Sequence, residues 1–471
     1  MVLKAKNLRL KYPNSEYKIF DGLDIEIKEK EKVLLLGPSG SGKSTLLNVL
    51  SGIVPNLVDL PMKYDGLEIA QHAGVIFQDP DSQFCMPQVD EELAFILENR
   101  QIPRTDMEDY IADALAQVQL NVNPKTKINQ LSGGMKQKLA IAGTLLMQTD
   151  TLFLDEPTAM LDVNATKNLW DLLKDLWKDQ TVLIVEHKVE HIWDYVDRVI
   201  LLNHEGKIIQ QGTPNHILKH HEAILSEYGV WHPNAWNNAP KPKSEPSTSE
   251  SLIPFAFKYE NGDIKRGRNA LYHIPQLHIG PCEWITVTGK NGTGKTSLLE
   301  SMMQLIRYKG DMYWNSQRLT KIRDAANHMY LVYQNPELQF IQNSVYDEIY
   351  INYEYTNPQH AKEQTFAMLE LLDLCHVAKQ HPFELSMGQK RRLSVATALS
   401  TKADIILLDE PTFGLDSHNT FKLIQLFQER IAKGQTIVMV THDPNIIERY
   451  PTRRLEINNG VLYDSEVRNN D

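Results

Sequence analysis

A chain of 471 residues is too long for one ordinary core, and at about 100–200 residues per domain it predicts two to four domains. Its 42% hydrophobic and 23% charged residues are those of a globular, soluble protein, and a net charge of −11 argues against a large nucleic-acid footprint, which needs a basic face. Cys85, Cys282 and Cys375 are odd in number, widely spaced and form no C-x-x-C, so neither a disulfide framework nor a zinc or iron–sulfur site is suggested, and a reducing, cytosolic setting fits.

In chain order, MVLKAKNLRLKYP alternates polar and apolar residues like a strand and has no apolar signal core. No run of about 18 apolar residues occurs anywhere, so a membrane role is expected to come through a partner. KVLLLG (Lys32–Gly37) reads as a buried strand entering GPSGSGKST, that is Gly37, Pro38, Ser39, Gly40, Ser41, Gly42, Lys43, Ser44 and Thr45. This is G-x-x-x-x-G-K-[ST], a phosphate-binding loop: backbone N–H groups wrap a polyphosphate, the Lys reaches its terminal phosphates, and the hydroxyl ligates Mg²⁺. TLFLDEPT (Thr151–Thr158) is a second buried strand, ending in two carboxylates, and TVLIVEH (Thr181–His187) is a third. Parallel strands with polar residues at their C-terminal ends gather those residues along one sheet edge, where α/β folds bind ligands.

The same order then repeats. WITVTG (Trp284–Gly289) enters GKNGTGKTS, that is Gly289, Lys290, Asn291, Gly292, Thr293, Gly294, Lys295, Thr296 and Ser297; IILLDEPT (Ile405–Thr412) and TIVMVTH (Thr436–His442) follow. Lys43, Gln78, Ser132, Asp155 and His187 recur as Lys295, Gln334, Ser386, Asp409 and His442, at offsets of 252 to 256 residues, which marks a duplicated domain. Between the copies, HPNAWNNAPKPKSEPSTSES (His232–Ser251) lacks apolar periodicity and is expected to be a flexible linker, with domains at 1–231 and 252–471.

A phosphate loop alone fits a kinase, a GTPase or a helicase. LSGGMKQKLAIA (Leu131–Ala142) and LSMGQKRRLSVA (Leu385–Ala396), each shortly before a carboxylate strand, narrow the choice, because they resemble the LSGGQ signature of ATP-binding cassette (ABC) ATPases. The resemblance covers nearly the whole chain. It implies an α/β fold of two tandem ABC-type domains, each with a mainly parallel sheet core, an antiparallel β subdomain and a small helical subdomain. It also implies ATP and Mg²⁺ as cofactors and two composite sites, Lys43 facing Ser386 and Gly388 and Lys295 facing Ser132 and Gly134, from domains that pair head to tail within one chain.

By the same resemblance Lys43 and Lys295 neutralise the β/γ-phosphates, while Ser44 and Asp155, or Thr296 and Asp409, hold Mg²⁺ directly or through water. Glu156 and Glu410 polarise the attacking water, and His187 and His442 contact the γ-phosphate. Gln78 and Gln334 sense Mg²⁺ and nucleotide, Asp162 and Asp416 match the D-loop, and Tyr12 and Tyr259 are candidate platforms for adenine. His191, His220 and His221 read as surface histidines, and Lys390, Arg391 and Arg392 as the polar start of a helix.

The segments after each Gln go further. FQDPDSQFCMPQVDEELAFILEN (Phe77–Asn99) and YQNPELQFIQNSVYDEIYI (Tyr333–Ile351) resemble the stretch that follows this Gln in ATPases of energy-coupling-factor (ECF) transporters, importers of vitamins and metals. That resemblance implies a membrane-embedded coupling subunit and a substrate-binding membrane subunit as partners, and a peripheral place on the cytoplasmic face of the membrane. Asp79, Asp81, Asp90, Glu91 and Glu92, with Glu337, Asp347 and Glu348, are expected to offer carboxylates to the coupling subunit. The alternatives are a sugar-importer ATPase and a soluble ABC-F-like translation factor, although the latter would normally carry a long charged helical linker. Fused ATPases of this kind resemble those for thiamine or its hydroxymethylpyrimidine precursor. Two departures stand out: Met387 replaces the first signature Gly, which requires a helical or extended backbone there, and Met135 replaces the signature Gln.

Overall fold

The computed structural model describes residues 2–13, 15, 17–38, 40–159, 161, 163–242, 256–266 and 269–466. Of the residues singled out above, Ser39, Asp162 and the part of the expected linker from 243 to 251 lie outside that set. The chain divides into two compact units, Met1–Asn237 with Asp416–His418 and Asn238–Leu415 with Asn419–Asp471.

In the first unit the strands run in spatial order Ile208–Gly212, Arg198–Leu202, Lys32–Leu36, Thr181–Val185, Thr151–Asp155 and Ala73–Ile76. Every neighbouring pair is parallel except the first. Continuous apolar runs suit this position, because a parallel sheet is covered on both faces. Leu34, Leu154 and Ile184 are fully buried on one side, and Val33, Phe153 and Leu183 join a separate cluster on the other. A second sheet, antiparallel, is built on Leu3–Leu10 and Phe20–Ile27. Three helices, Val89–Asn99, Arg104–Gln117 and Gly133–Met147, form the helical subdomain. Their shared contacts are apolar: Leu93, Leu97, Ile111, Leu115 and Leu139 belong to one buried cluster. Each such leucine contributes about 1.5–3 kcal/mol by leaving water.

The second unit repeats the order with Val461–Glu466, Arg453–Asn458, Trp284–Gly289, Thr436–Val440, Ile405–Asp409 and Met329–Val332. Here the antiparallel hairpin Phe257–Arg266 and Asn269–Ile279 joins the same sheet through one parallel pairing, His273 with Val461. Val345–Thr356, Ala361–Leu371 and Met387–Leu399 are its three helices.

The expected linker is structured over its described part. His232, Ala235 and Trp236 are buried, Trp236 lies 5.5 Å from the ring of Trp231, and residues Ala235–Asn238 form a 3₁₀ turn. Further on, the carbonyls of Pro240 and Lys241 accept hydrogen bonds from the Tyr450 hydroxyl and from Gln428 Nε2. Two tryptophans so close together have enough apolar area to hold this segment on the protein.

Candidate functional site

Each phosphate loop leaves a buried strand and ends at a helix, Lys43–Leu50 or Lys295–Met302. The residue before each helix must be glycine. Gly42 has φ +89° and a Cβ there would sit 2.6 Å from Ile19 Cγ2; Gly294 has φ +97° and would meet Leu271 Cδ1 at 2.8 Å. The ammonium groups are buried and donate to carbonyls of their own loops. Lys43 Nζ donates to Gly37 O and Pro38 O at 2.8 and 2.9 Å, and Lys295 Nζ donates to Gly289 O and Lys290 O at 2.9 and 3.1 Å. Burial lowers the Lys43 pKa, with Glu156 and Asp155 acting against that shift. A buried cation in a ring of backbone groups at a helix N-terminus fits a polyphosphate.

The carboxylate strands deliver the next layer. Ser44 Oγ donates to Asp155 Oδ1 at 2.9 Å and Thr296 Oγ1 to Asp409 Oδ2 at 2.7 Å. A hydroxyl paired with a carboxylate is an oxygen donor set for a hard divalent cation, so these pairs fit Mg²⁺. Burial pushes Asp155 up to about 6, against the Ser44 hydrogen bond, and raises Asp409, against the Thr296 bond. Gln78 and Gln334 are both exposed two residues beyond their strands, and Gln78 Nε2 donates to Glu156 Oε2 at 2.8 Å. Gln334 lines a cleft with Thr296.

Glu156 and Glu410 both adopt the left-handed backbone, φ 49° and 52°, which costs a non-glycine residue free energy and commonly marks a functional position. Each is held there because its N–H donates to the neighbouring strand, at Val185 O and Val440 O. His187 Nε2 lies 2.9 Å from Glu156 Oε1, and His442 Nε2 lies 3.5 Å from Glu410 Oε1. Burial pushes the Glu156 carboxyl up, but the His187 hydrogen bond and the charges of His187 and Lys43 leave it below its ordinary value. It is thus an ionised base beside an imidazole.

The signature residues open their helices. Ser132 and Ser386 are N-caps, accepting from Met135 N and Gln389 N at 3.4 Å. Gln389 Oε1 also accepts from Ser386 N, completing a capping box that Met135 has no group to make. Met387 is the first helical residue, half exposed, so its backbone is helical. At Gly134 and Gly388 a Cβ would make ordinary contacts of 3.6 Å and 3.7 Å, so packing inside each unit does not demand these glycines. Asp416 directly precedes the helix Ser417–Ala432.

The two tyrosines differ. Tyr12 is 40% exposed with its hydroxyl 2.9 Å from Thr45 Oγ1, beside the phosphate loop. Tyr259 is 0% exposed and its hydroxyl donates to Lys309 O, which leaves no ring face for a base and corrects the expectation of a platform there.

The acidic segments are also not what the sequence led us to expect. Asp81 is bound by Lys136 at 2.6 Å, Glu337 by Lys390, and Asp90 by Lys125. Glu92 and Glu348 are buried and accept from the amides of Cys85 and Met86, and of Ile341 and Gln342. Asp79 caps the turn Pro80–Ser82, and Asn335 caps Pro336–Gln339. Gln83 and Gln339 close the same loops by accepting from Phe77 N and Tyr333 N. The Gln-x-Pro-x-x-Gln pattern is therefore a self-tied loop, and Lys136 and Lys390 tie it to the signature helix. Both stand four residues after the signature Ser; Lys136 was missed, and Lys390 was read only as part of the polar start of a helix.

Arg391 and Arg392 are buried rather than at a polar helix surface. Arg391 Nη1 donates to Tyr333 O at 3.2 Å; burial lowers its pKa to about 10, opposed by Glu410 and Asp409. Glu186, which stands before His187 where Thr441 stands before His442, is buried and interacts electrostatically with Glu156.

Two phosphate loops, each with an Asp–hydroxyl pair and a Glu–His pair at one edge of a parallel sheet, define a tandem phosphate-loop ATPase. The chain belongs to the ABC transporter family, whose profile matches residues 20–159 and 272–413. It is 32% identical to "Putative HMP/thiamine import ATP-binding protein YkoD" of Bacillus subtilis (strain 168), across 98% of this chain and 91% of that one. It is 28% identical to a "Putative ABC transporter ATP-binding protein" of Methanosarcina mazei, across 98% and 88%. Among solved structures, one titled "Model of ribosome-bound archaeal Pelota and ABCE1" matches with a TM-score of 0.69 over 98% of this chain and 79% of that one. At 20% identity that likeness shows the fold alone.

Proposed function

We propose that this chain is the energy-coupling ATPase of an ECF-type importer of a vitamin, a vitamin precursor or a metal ion, lying on the cytoplasmic face of the membrane. The observation that carries the reading is the duplication of the whole constellation, with neither half missing its Lys, Asp, Glu or His. The Gln-x-Pro-x-x-Gln loop in both halves and the import name of the 32%-identical relative favour transport of this kind. Among the described residues no helix is long and apolar enough to cross a membrane, so uptake needs membrane subunits.

In this reading Ser44 and Asp155, with Gln78, hold Mg²⁺ in the first unit, and Thr296 and Asp409, with Gln334, in the second. Bound Mg²⁺ neutralises charge on the β- and γ-phosphates. Lys43 and Lys295 exchange a carbonyl for a phosphate oxygen. Glu156 and Glu410 accept a hydrogen bond from the attacking water, and His187 and His442 hold the γ-phosphate. The reading includes head-to-tail pairing of the two halves within one chain, with each phosphate loop served by the other half's signature.

The test is to purify the chain from membranes with its co-expressed neighbours, then measure Mg²⁺-dependent ATP hydrolysis and uptake of labelled thiamine or hydroxymethylpyrimidine into vesicles. ATP-driven uptake supports the reading. Hydrolysis by a chain that retains no membrane subunit and sediments with ribosomes would refute it.

A further inference from the structure

The second unit hides the tyrosine that matches Tyr12, and a cation stands in its place. The difference begins with strand length. The first strand stops at Leu10, so Tyr12 lies beyond it and its hydroxyl reaches Thr45 at the end of the phosphate loop. In the second unit the strand continues from Phe257 to Arg266, and its alternation turns Tyr259 into the core. There the ring stands edge-on to Tyr308, and a Cβ on Gly262 would come within 2.6 Å of it, so the ring fills its space completely.

The longer strand ends at a cleft that it shares with the phosphate loop. Ser297 occupies the position of Thr45, and Lys265 and Arg266 line a cleft of about 850 Å³ with Thr296, Ser297, Glu300 and Gln334. Arg266 is exposed, pairs with Asn269 across the hairpin, and acts electrostatically on the half-buried Glu300. The cleft also contains Tyr308, but that ring is already engaged: its hydroxyl donates to Gln304 at 2.6 Å and its edge meets Tyr259. Thr296 and Gln334 mark the phosphate end of the cleft. A base therefore lies past Ser297, on the side of the hairpin end.

We propose that Arg266 is the base platform of the second nucleotide site: its guanidinium plane packs on the purine of bound ATP, in the place Tyr12 takes in the first. A planar, delocalised cation suits this role because it stacks on aromatic faces and keeps its charge at every working pH. Lys265 adds positive charge beside it. The inference rests on the proposed reading of the chain as a nucleotide-binding ATPase.

The test uses the full chain with Lys43→Ala to silence the first site, titrated calorimetrically with non-hydrolysable AMP-PNP and with inorganic tripolyphosphate. Arg266→Ala is expected to weaken AMP-PNP about 3- to 30-fold, the range of a cation–π contact, and to leave tripolyphosphate unchanged, because the latter has no base. Arg266→Tyr should restore AMP-PNP. Unchanged AMP-PNP affinity in Arg266→Ala, or equal loss for both ligands, would overturn the platform. Failure of the parent chain to bind either ligand would instead overturn the reading of the chain as a nucleotide-binding ATPase.

Discussion

Glu186 is the residue whose removal most directly tests the electrostatics of the first site. It is 4% exposed, Thr158 Oγ1 donates to its Oε1 at 3.0 Å, and its Oε2 has no hydrogen-bond partner among the described residues. The groups facing it are the Glu156 carboxylate and the amides of His187 and Lys188. Burial, reinforced by Glu156, raises its pKa from 4.5 to about 8, so the folded chain keeps it neutral at pH 7. Below pH 4.5 both states hold the proton and nothing is lost. Between 4.5 and 8 the unfolded chain releases it while the folded chain retains it, so stability falls as pH rises and levels off above 8.

At about 1.4 kcal/mol per pH unit, and with the folded chain half ionised at pH 8, the loss between pH 6 and 8 is about 2 kcal/mol. Glu186→Gln has the same shape and nothing to ionise, so it removes that slope. For a domain of this size 1 kcal/mol moves the melting point about 2–4 °C. The variant should therefore gain about 4–8 °C more over the parent at pH 8 than at pH 6, read on the first unit's transition by scanning calorimetry in chelator. A difference between variant and parent that stays constant from pH 6 to 8 would show that Glu186 does not carry a proton in the folded state.

Glu156→Gln and Glu410→Gln should each reduce ATP turnover and spare ATP binding, and the pair should trap a nucleotide-filled state; loss confined to one variant at pH 7 would mean a single working site. Gly42→Ala puts a Cβ 2.8 Å from Phe20 Cζ at φ +89°. It should cost about 1–3 kcal/mol, seen as a lower melting point; an unchanged one would refute the close fit. Asp81→Ala should cost no more than about 1 kcal/mol, because its carboxylate is largely exposed. Exchanging the charges, Asp81→Lys with Lys136→Asp, should recover what either single change loses, and a double-mutant cycle with no coupling would remove the tie between the loop and the signature helix.

The phosphate loops and carboxylate strands were legible because each is a local pattern: a glycine-bounded turn, or five apolar residues ending in Asp-Glu. The constant offset between copies then ordered them without any knowledge of contacts. Tyr259 was misread because LRLKY and FAFKY look alike, while the burial of the Tyr depends on where the strand stops, two residues before the Tyr in one copy and seven after it in the other. Arg391 and Arg392 look like a solvated run, yet the helix buries both and turns Arg391 toward Tyr333 and the second unit's carboxylates. Asp81 and Glu337 looked available because their lysines lie 55 and 53 residues away. Position within one element was readable; partners across elements were not.

The two units share their reacting groups and differ in what stands behind them. Next to His187 the first unit has Glu186, and next to His442 the second has Thr441, a buried hydroxyl that accepts from the Asp443 amide. Under the signature helix the first unit buries Gln137, neither of whose amide atoms has a hydrogen-bond partner among the described residues, where the second buries the cation Arg391 beside Asp409 and Glu410. Attraction between Arg391 and these carboxylates favours the charged forms as long as the guanidinium keeps its proton, up to about pH 10. In the first unit that support comes from His187 and Lys43, and above pH 8 Glu186 itself ionises and sets a second negative charge against Glu156. Like charges in a site that already holds Asp155 oppose a polyphosphate. An enzyme with equal sites at pH 7 therefore becomes unequal in alkali, with the second site outlasting the first, and the two single glutamine variants should diverge at pH 9 in the order that places Glu410 as the greater loss.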